Sequence, residues 1–136
     1  MKKKIIICID IDNTICSTKG KIYSKSTPYK KKKRYINSLY DSGYYIKIFT
    51  SRYMGRNKEN IKKVYNQGFK KTEKQLLGWK LKFHELIMGK PSFDILIDDK
   101  SIFFEKNWIK NVNLKLKKKK SKIELNILKF FDKSVL

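Results

Sequence analysis

Two aspartates, Asp10 and Asp12, stand one residue apart directly after the apolar run at residues 5–9. The run is short, mostly β-branched and without polar alternation, which predicts a strand buried on both faces in a parallel sheet. If the strand geometry continues, both carboxylates point to the same side, where their repulsion is costly unless a cation or a shared proton offsets it. Since ligands of open α/β sheets bind at the carboxyl ends of the strands, this pair is a candidate site.

Further polar residues follow the other predicted strands. Thr50 follows residues 44–49, Lys90 follows a short apolar piece at 86–88, and the pair Asp98 and Asp99 follows residues 93–97. If the strands are parallel, these side chains meet at one edge of the sheet. Carboxylates suit a hard cation such as Mg²⁺, and a cation, an ammonium and a hydroxyl together suit a phosphoryl group.

The elements that would position these residues alternate between strand and helix. Apolar periodicity, caps and glycines predict helices at 28–43, 61–68, 72–83 and 101–108, an edge strand at 112–116, and a terminal helix from a capping box at Ser121. This order predicts the α/β class: a three-layer sandwich around a mostly parallel, Rossmann-like sheet. We expect residues 1–113 to form the catalytic core, with the Lys-rich segment and amphipathic helix of 114–136 packed on it.

The chain resembles the haloacid dehalogenase (HAD) superfamily of phosphotransferases. The DxDxT signature is present as residues 10–14, the hydroxyl motif matches Thr50, the lysine motif matches Lys90, and the acidic pair matches Asp98 and Asp99. The four motifs occur in the order of the family and span residues 5–100. Residues 51–60 and 89–101 look most like the small phosphatases encoded with capsule and surface-polysaccharide genes.

The resemblance implies catalytic roles for four residues. Asp10 would be the nucleophile that forms an aspartyl-phosphate, and Asp12 the acid that protonates the leaving alkoxide and then the base that activates water. Thr50 would hydrogen-bond the phosphoryl oxygens. Lys90 would hold the phosphoryl group and offset negative charge near Asp10.

The resemblance also implies a Mg²⁺ site and an open substrate site. Asp10, Asp12, Asp98 and Asp99 would supply the metal site, Asp12 through its main-chain carbonyl. For Asp99 three roles stay open: a direct metal ligand, a ligand through water, or a partner of Lys90. The family often carries a cap domain, but the segments between the motifs are too short for one, so the HAD-like core should be capless. Capless relatives often close the site with a neighbouring subunit or accept large substrates. Both alternatives fit this chain, so a homo-oligomer is an open hypothesis.

Four more residues are candidates for substrate contact because they adjoin the motifs. Asn13 and Ser51 each follow a motif residue, and Arg52 and Arg56 come shortly after Thr50. The arginines are candidates to contact the phosphate or the sugar of a substrate, with plain surface positions as the alternative.

Composition adds bounds on class and partners. The formal net charge is +22, yet three of the 34 basic residues are arginine, the better residue for bidentate phosphate contact. The charge attracts polyanions, but a nucleic-acid partner is not the favoured interpretation. The absence of a membrane span and the two cysteines without metal-ligand spacing predict a cytoplasmic protein with free thiols.

Three functions therefore stand as hypotheses. The first is a Mg²⁺-dependent phosphomonoester hydrolase that acts on a sugar phosphate or another small phosphorylated metabolite. The second is a phosphatase of polynucleotide 3′ ends, which the basic charge would suit. The third is a nucleic-acid-binding protein whose catalytic residues are vestigial.

Overall fold

The structure, a computed structural model, describes the backbone of residues 3–134 and the side chains of residues 3–122. It contains five strands and three α-helices within those residues: β1 (Ile6–Ile9), β2 (Cys16–Ser17), β3 (Thr27–Pro28), α1 (Lys30–Asp41), β4 (Tyr45–Phe49), α2 (Ile61–Gly78), β5 (Glu85–Ile87) and α3 (Trp108–Ser134). By their contacts the residues form two compact units, Met1–Ile95 and Leu96–Leu136. The predicted boundary at residue 113 stays a prediction.

The first unit is built on a three-stranded parallel sheet in the order β1-β4-β5. Ile7 lies opposite Ile46, and Ile48 lies opposite Leu86. The strands expected at 5–9, 44–49 and 86–88 therefore exist and run parallel, and the α/β class is confirmed. A small antiparallel pair, β2 with β3, follows β1. The finer expectation of a three-layer, HAD-like core stays a prediction.

The expectation that the first strand is buried on both faces is wrong. Ile6 and Cys8 are exposed, whereas Ile9 is buried. Among the described residues β1 pairs with one neighbour, β4, and therefore forms an edge of the sheet. An apolar run indicates burial only where other elements cover it, and that depends on tertiary packing.

Helix α1 follows its sequence pattern closely. Its buried residues are Ile36 and Leu39, which repeat at helical spacing. The chain leaves the helix through Gly43, whose φ of 96° lies in the left-handed region that glycine adopts without strain.

The expectation of two helices between β4 and β5 is wrong, because α2 is a single helix. Asn60 caps it, with its side chain accepting a hydrogen bond from the Lys63 amide. Gly68 and Thr72, expected as a stop and as a cap, lie buried inside it. The ring of Tyr53 packs directly against Gly68, so this glycine provides space for a neighbour and does not end the helix.

The chain from residue 93 onward departs most from the sequence prediction. Residues 93–97 are not a strand, and Ile95 and Ile97 are 81% and 94% exposed. Residues 101–106 are not helical, and the predicted strand at 112–116 lies within α3. The buried residues Trp108 and Leu116 are eight positions apart, a helical spacing that overrides the short alternation.

The capping box expected at Ser121 is also wrong. Helix α3 begins at Trp108, and the Ser121 hydroxyl donates within the helix to the Lys117 carbonyl at 3.0 Å. Among the described residues, no helix is long and apolar enough to cross a lipid bilayer.

Candidate active site

The Asp10 carboxylate lies just beyond β1 and is held by two side chains. The Thr14 hydroxyl donates to its Oδ2 at 3.0 Å, and the Lys90 ammonium lies 3.4 Å from its Oδ1. The carbonyl of Ile11, a fully buried residue, accepts hydrogen bonds from the amides of Thr14 and Ile15. This turn brings Thr14 back to Asp10 and fixes one side of the carboxylate.

Lys90 reaches Asp10 because the backbone around Thr50 extends the pairing of β4 with β5. The Thr50 amide donates to the Ile87 carbonyl at 3.0 Å, and the Lys90 amide donates to the Thr50 carbonyl at 3.1 Å. Gly89 makes the intervening turn with a φ of 89°. The structure therefore brings Lys90 to Asp10 through their side chains and to Thr50 through the main chain. A contact of the Thr50 side chain with the other two stays a prediction.

The Thr50 side chain has a structural contact of its own. It is fully buried, and its hydroxyl oxygen accepts a hydrogen bond from the Arg52 amide at 3.1 Å. This contact tightens the turn after β4. A hydrogen bond from Thr50 to a phosphoryl oxygen stays a prediction.

Asp12 is bound by the guanidinium of Arg52 in a bidentate arrangement. Arg52 Nη2 lies 2.8 Å from Oδ1 and Nε lies 3.0 Å from Oδ2, while the Thr18 hydroxyl donates to Oδ1 at 2.6 Å. The Arg52 side chain is 1% exposed and that of Asp12 is 22% exposed. The fork geometry of arginine matches a carboxylate on both oxygens, so the pair fixes the Asp12 rotamer.

Arg52 is a candidate for substrate contact, with a plain surface position as the alternative. The surface alternative is wrong, because its guanidinium is held within the protein. Its Nη1 donates to Gln75 Oε1 at 2.6 Å, its Nη2 lies 3.4 Å from Ser26 Oγ, and the Tyr23 ring lies 4.8 Å from its Cζ. Gln75 in turn donates to the Tyr23 carbonyl at 2.7 Å. A buried cation needs such a complete set of partners.

Sequence reasoning missed Thr18, Ser26 and Gln75, which together support Asp12 and Arg52. None of the three belongs to a motif. Gln75 lies 23 residues from Arg52 and 52 from Tyr23 along the chain, so no local spacing points to these contacts.

The remaining substrate candidates lie close to these groups. Asn13 has a left-handed φ of 59°, and its side-chain oxygen accepts from the Thr18 amide at 3.2 Å. Ser51 is half-buried, and its carbonyl accepts from the Met54 amide. Arg56 is exposed, with its guanidinium carbon 4.8 Å from the centre of the Tyr53 ring. Contact of these three residues with a substrate stays a prediction.

Asp98 and Asp99 belong to the second unit, where both are exposed. The Lys100 amide donates to Asp98 Oδ1 at 2.8 Å, and the Ser101 hydroxyl donates to the Asp98 carbonyl at 2.9 Å. Asp98 thus stabilises a local turn in the way typical of aspartate.

The fit of the site to Mg²⁺ can be judged from its donors. Asp10 and Asp12 carry the hard oxygen ligands that Mg²⁺ prefers. Within the described part of the chain, no group of three or more histidine, cysteine, aspartate or glutamate side chains is placed to hold a metal ion. The four-aspartate metal site, and Mg²⁺ itself, stay predictions.

Cys16 is unsuited to nucleophilic chemistry. It is buried, and its thiol lies 3.5 Å from the Ile11 carbonyl as a hydrogen-bond donor. Burial raises the pKa of the Cys16 thiol, which keeps it protonated. Both Cys8 and Cys16 are free cysteines, as expected.

Comparison with known proteins establishes the fold alone. No family model and no curated protein matches the chain. A crystal structure of a target protein from Vibrio cholerae is similar, with a TM-score of 0.68 and 21% sequence identity over 72% of this chain and 82% of that one. Similarity at this level of identity supports the α/β architecture.

Proposed function

We propose that this protein is a HAD-type phosphomonoester hydrolase that works through an aspartyl-phosphate on Asp10, with a small phosphorylated metabolite such as a sugar phosphate as its substrate. The supporting observation is the pairing of Asp10 with Lys90 beside Asp12. A nucleophilic carboxylate lies 3.4 Å from an ammonium and near a second carboxylate that can transfer protons. The order of the four sequence motifs supports the same proposal.

In the first step, an oxygen of Asp10 attacks phosphorus and the bond from phosphorus to the leaving alkoxide breaks. Lys90 offsets the charge that accumulates on the phosphoryl oxygens, while Thr14 keeps the carboxylate oriented. Asp12 gives its proton to the leaving oxygen. In the second step, Asp12 takes a proton from water, which attacks the phosphoryl group and releases Asp10.

The contacts of Asp12 with Arg52 and Thr18 support a role for this carboxylate beside the reacting group. Both of its oxygens accept hydrogen bonds, Oδ1 from Arg52 and Thr18, and Oδ2 from Arg52. When Asp12 carries a proton, that proton takes the place of one hydrogen bond from Arg52, most simply the bond from Nε to Oδ2. We infer that Arg52 keeps the Asp12 carboxylate facing the reacting group through both steps.

When bound, Mg²⁺ would lower the repulsion between the Asp10 carboxylate and the phosphate dianion. The Asp10 side chain and the main-chain carbonyl of Asp12 would be its ligands in the first unit. Asp98 and Asp99 remain the acidic pair that the sequence predicts as further ligands.

The test is phosphate release from a panel of phosphomonoesters in the presence of Mg²⁺. The panel contains sugar phosphates, nucleotides and a 3′-phosphorylated oligonucleotide. We expect the wild type to release phosphate. The rate of release by Asp10→Asn should be at least about a thousandfold lower, because removal of the nucleophile removes the covalent route. Asp41→Asn is the matched control, because Asp41 is an exposed aspartate on α1 whose partner is Lys82.

The outcomes separate the hypotheses. Preference for the oligonucleotide, with activity that falls steeply as salt increases, would support the polynucleotide 3′-phosphatase instead. Equal activity of Asp10→Asn and the wild type would contradict the mechanism. Binding of an oligonucleotide without any phosphate release would support the non-catalytic alternative.

A further inference from the structure

A cleft of about 510 Å³ lies beside Arg52. Three parts of the first unit form its walls: the loop at Tyr23–Lys25, the turn after β4, and the C-terminal half of α2. Its lining includes Tyr23, Arg52, Lys71, Lys74, Gln75 and Trp79. Arg52 is thus part of the cleft and also a partner of Asp12.

The charge of the cleft is positive. Lys71 and Lys74 are exposed and lie three positions apart on α2, so they occupy one face of the helix. Arg52 is already paired with Asp12. The described side chains that line the cleft include no aspartate or glutamate. The two lysines are therefore available to an anionic group.

The wall of the cleft also contains a hydroxyl without a partner. Thr72 lies between the two lysines and is 1% exposed. Its Oγ1 has no hydrogen-bond partner within the described part of the chain. A buried hydroxyl without a partner is rare in folded proteins, and an ordered water is its simplest partner, because this oxygen is closed to the solvent of the cleft.

The position of the cleft indicates which part of the proposed substrate lies nearest to it, namely the leaving group. In the proposed reaction Asp12 gives its proton to the leaving oxygen, so the leaving group lies on the side of Asp12. Arg52 joins that side to the cleft through contacts of 2.8 Å to Asp12 and 2.6 Å to Gln75. Because Arg52 lines the cleft and also binds Asp12, the cleft adjoins the side of the site on which the leaving group lies.

We propose that the cleft binds a second anionic group, a phosphate or a carboxylate, on the leaving-group side of the substrate. This inference rests on the proposed function, and it restricts the substrate class to phosphomonoesters that carry another anion. The recognising groups are the ammonium groups of Lys71 and Lys74.

Equilibrium binding to the full-length Asp10→Asn protein tests this without turnover, by titration calorimetry. Three matched pairs of probes differ by one anionic group: fructose 1,6-bisphosphate and fructose 6-phosphate, 6-phosphogluconate and glucose 6-phosphate, and adenosine 3′,5′-bisphosphate and adenosine 3′-monophosphate. The pairs distinguish a second phosphate on a sugar, a carboxylate, and a nucleotide. The same pairs are then compared by kcat/KM with protein that retains Asp10.

We expect the probe with two anions to bind roughly three- to tenfold more tightly in at least one pair, as two exposed charge contacts allow. Lys71→Ala with Lys74→Ala should abolish that preference. Lys63→Ala with Lys70→Ala is the matched control, because it removes the same charge from the same helix outside the cleft lining. The control should keep the preference.

Each result has one meaning for the cleft. Equal affinity for both members of every pair overturns the inference, even if phosphate is released. The inference also fails if the two double variants lose the preference for the probe with two anions to the same extent. A preference that depends on Lys71 and Lys74 supports the cleft even if no ester is hydrolysed, and in that case the proposed function alone fails.

Discussion

At the scale of single residues, the site depends on two ion pairs of different character. Lys90 and Asp10 are partly exposed, with side chains 17% and 31% exposed. Arg52 is almost fully buried against Asp12 and Gln75. The first pair is open to exchange with a substrate, whereas the second pair serves as a fixed support.

Loss of Arg52 should therefore destabilise the fold. Removing one partner of a buried pair leaves the other charge uncompensated, and because Asp12 keeps 22% exposure we expect Arg52→Ala to cost about 2–3 kcal/mol of unfolding free energy. The unfolding free energy of Arg52→Lys should lie between those of the wild type and Arg52→Ala, because lysine keeps the charge and loses the bidentate contact. Urea denaturation measures both.

Arg56→Ala is the matched control for Arg52. Arg56 is exposed and stacks near Tyr53, so its loss should cost less than about 1 kcal/mol. Equal destabilisation by the two alanine variants would show that Arg52 is not a structural support.

At the scale of elements, helix α2 connects the site to the rest of the first unit. Its buried residues Val64, Gly68, Thr72 and Leu76 follow one another at four-residue spacing and face the unit's interior. Gln75 extends from the same helix to Arg52. The close approach of Tyr53 to Gly68 fixes the turn after β4 against this helix.

Gly68→Ala should destabilise the protein although alanine favours helices. A Cβ at this position would overlap ring atoms Cδ2 and Cε2 of Tyr53, and overpacking of this kind costs about 1–3 kcal/mol. Gly78→Ala is the control in the same helix, because no atom lies within 4 Å of its added Cβ. It should stabilise by up to about 1 kcal/mol. A melting curve in which both variants gain stability would contradict the packing described for Tyr53.

At the scale of the whole molecule, the net charge of +22 dominates the electrostatics. Within the described residues the salt bridges number four, Lys47–Glu85, Arg52–Asp12, Lys82–Asp41 and Lys90–Asp10, so most lysines have no acidic partner in a salt bridge. Repulsion between the like charges opposes the compact state. The same positive charge attracts anions.

Salt should therefore stabilise this protein. Raising NaCl well above 0.1 M shortens the Debye length below about 10 Å and screens the repulsion. A gain of about 1 kcal/mol would raise the melting temperature by roughly 4 °C for a chain of this size. Replacing Lys117, Lys118 and Lys119 with glutamine should reduce the salt dependence. A melting temperature that falls with salt would show that attractive pairs dominate.

The amino-acid sequence determined the parallel strands β1, β4 and β5 and the approach of Lys90 to Asp10 at one edge. These features follow from local apolar patterns combined with a general rule of topology, because parallel strands present their carboxyl ends together. The sequence likewise determined α1, whose apolar spacing and terminal glycine agree with each other.

Tertiary structure alone decided which partners the site residues have. Arg52 binds Asp12 across 40 residues of chain, and Gln75 binds Arg52 from a helix that the sequence pattern divided in two. The exposure of residues 95–97 and the course of α3 through the predicted strand were decided in the same way. Local patterns describe the preference of a segment, but a side-chain pair or a buried face exists only when a distant segment packs there, and that packing free energy depends on the whole fold.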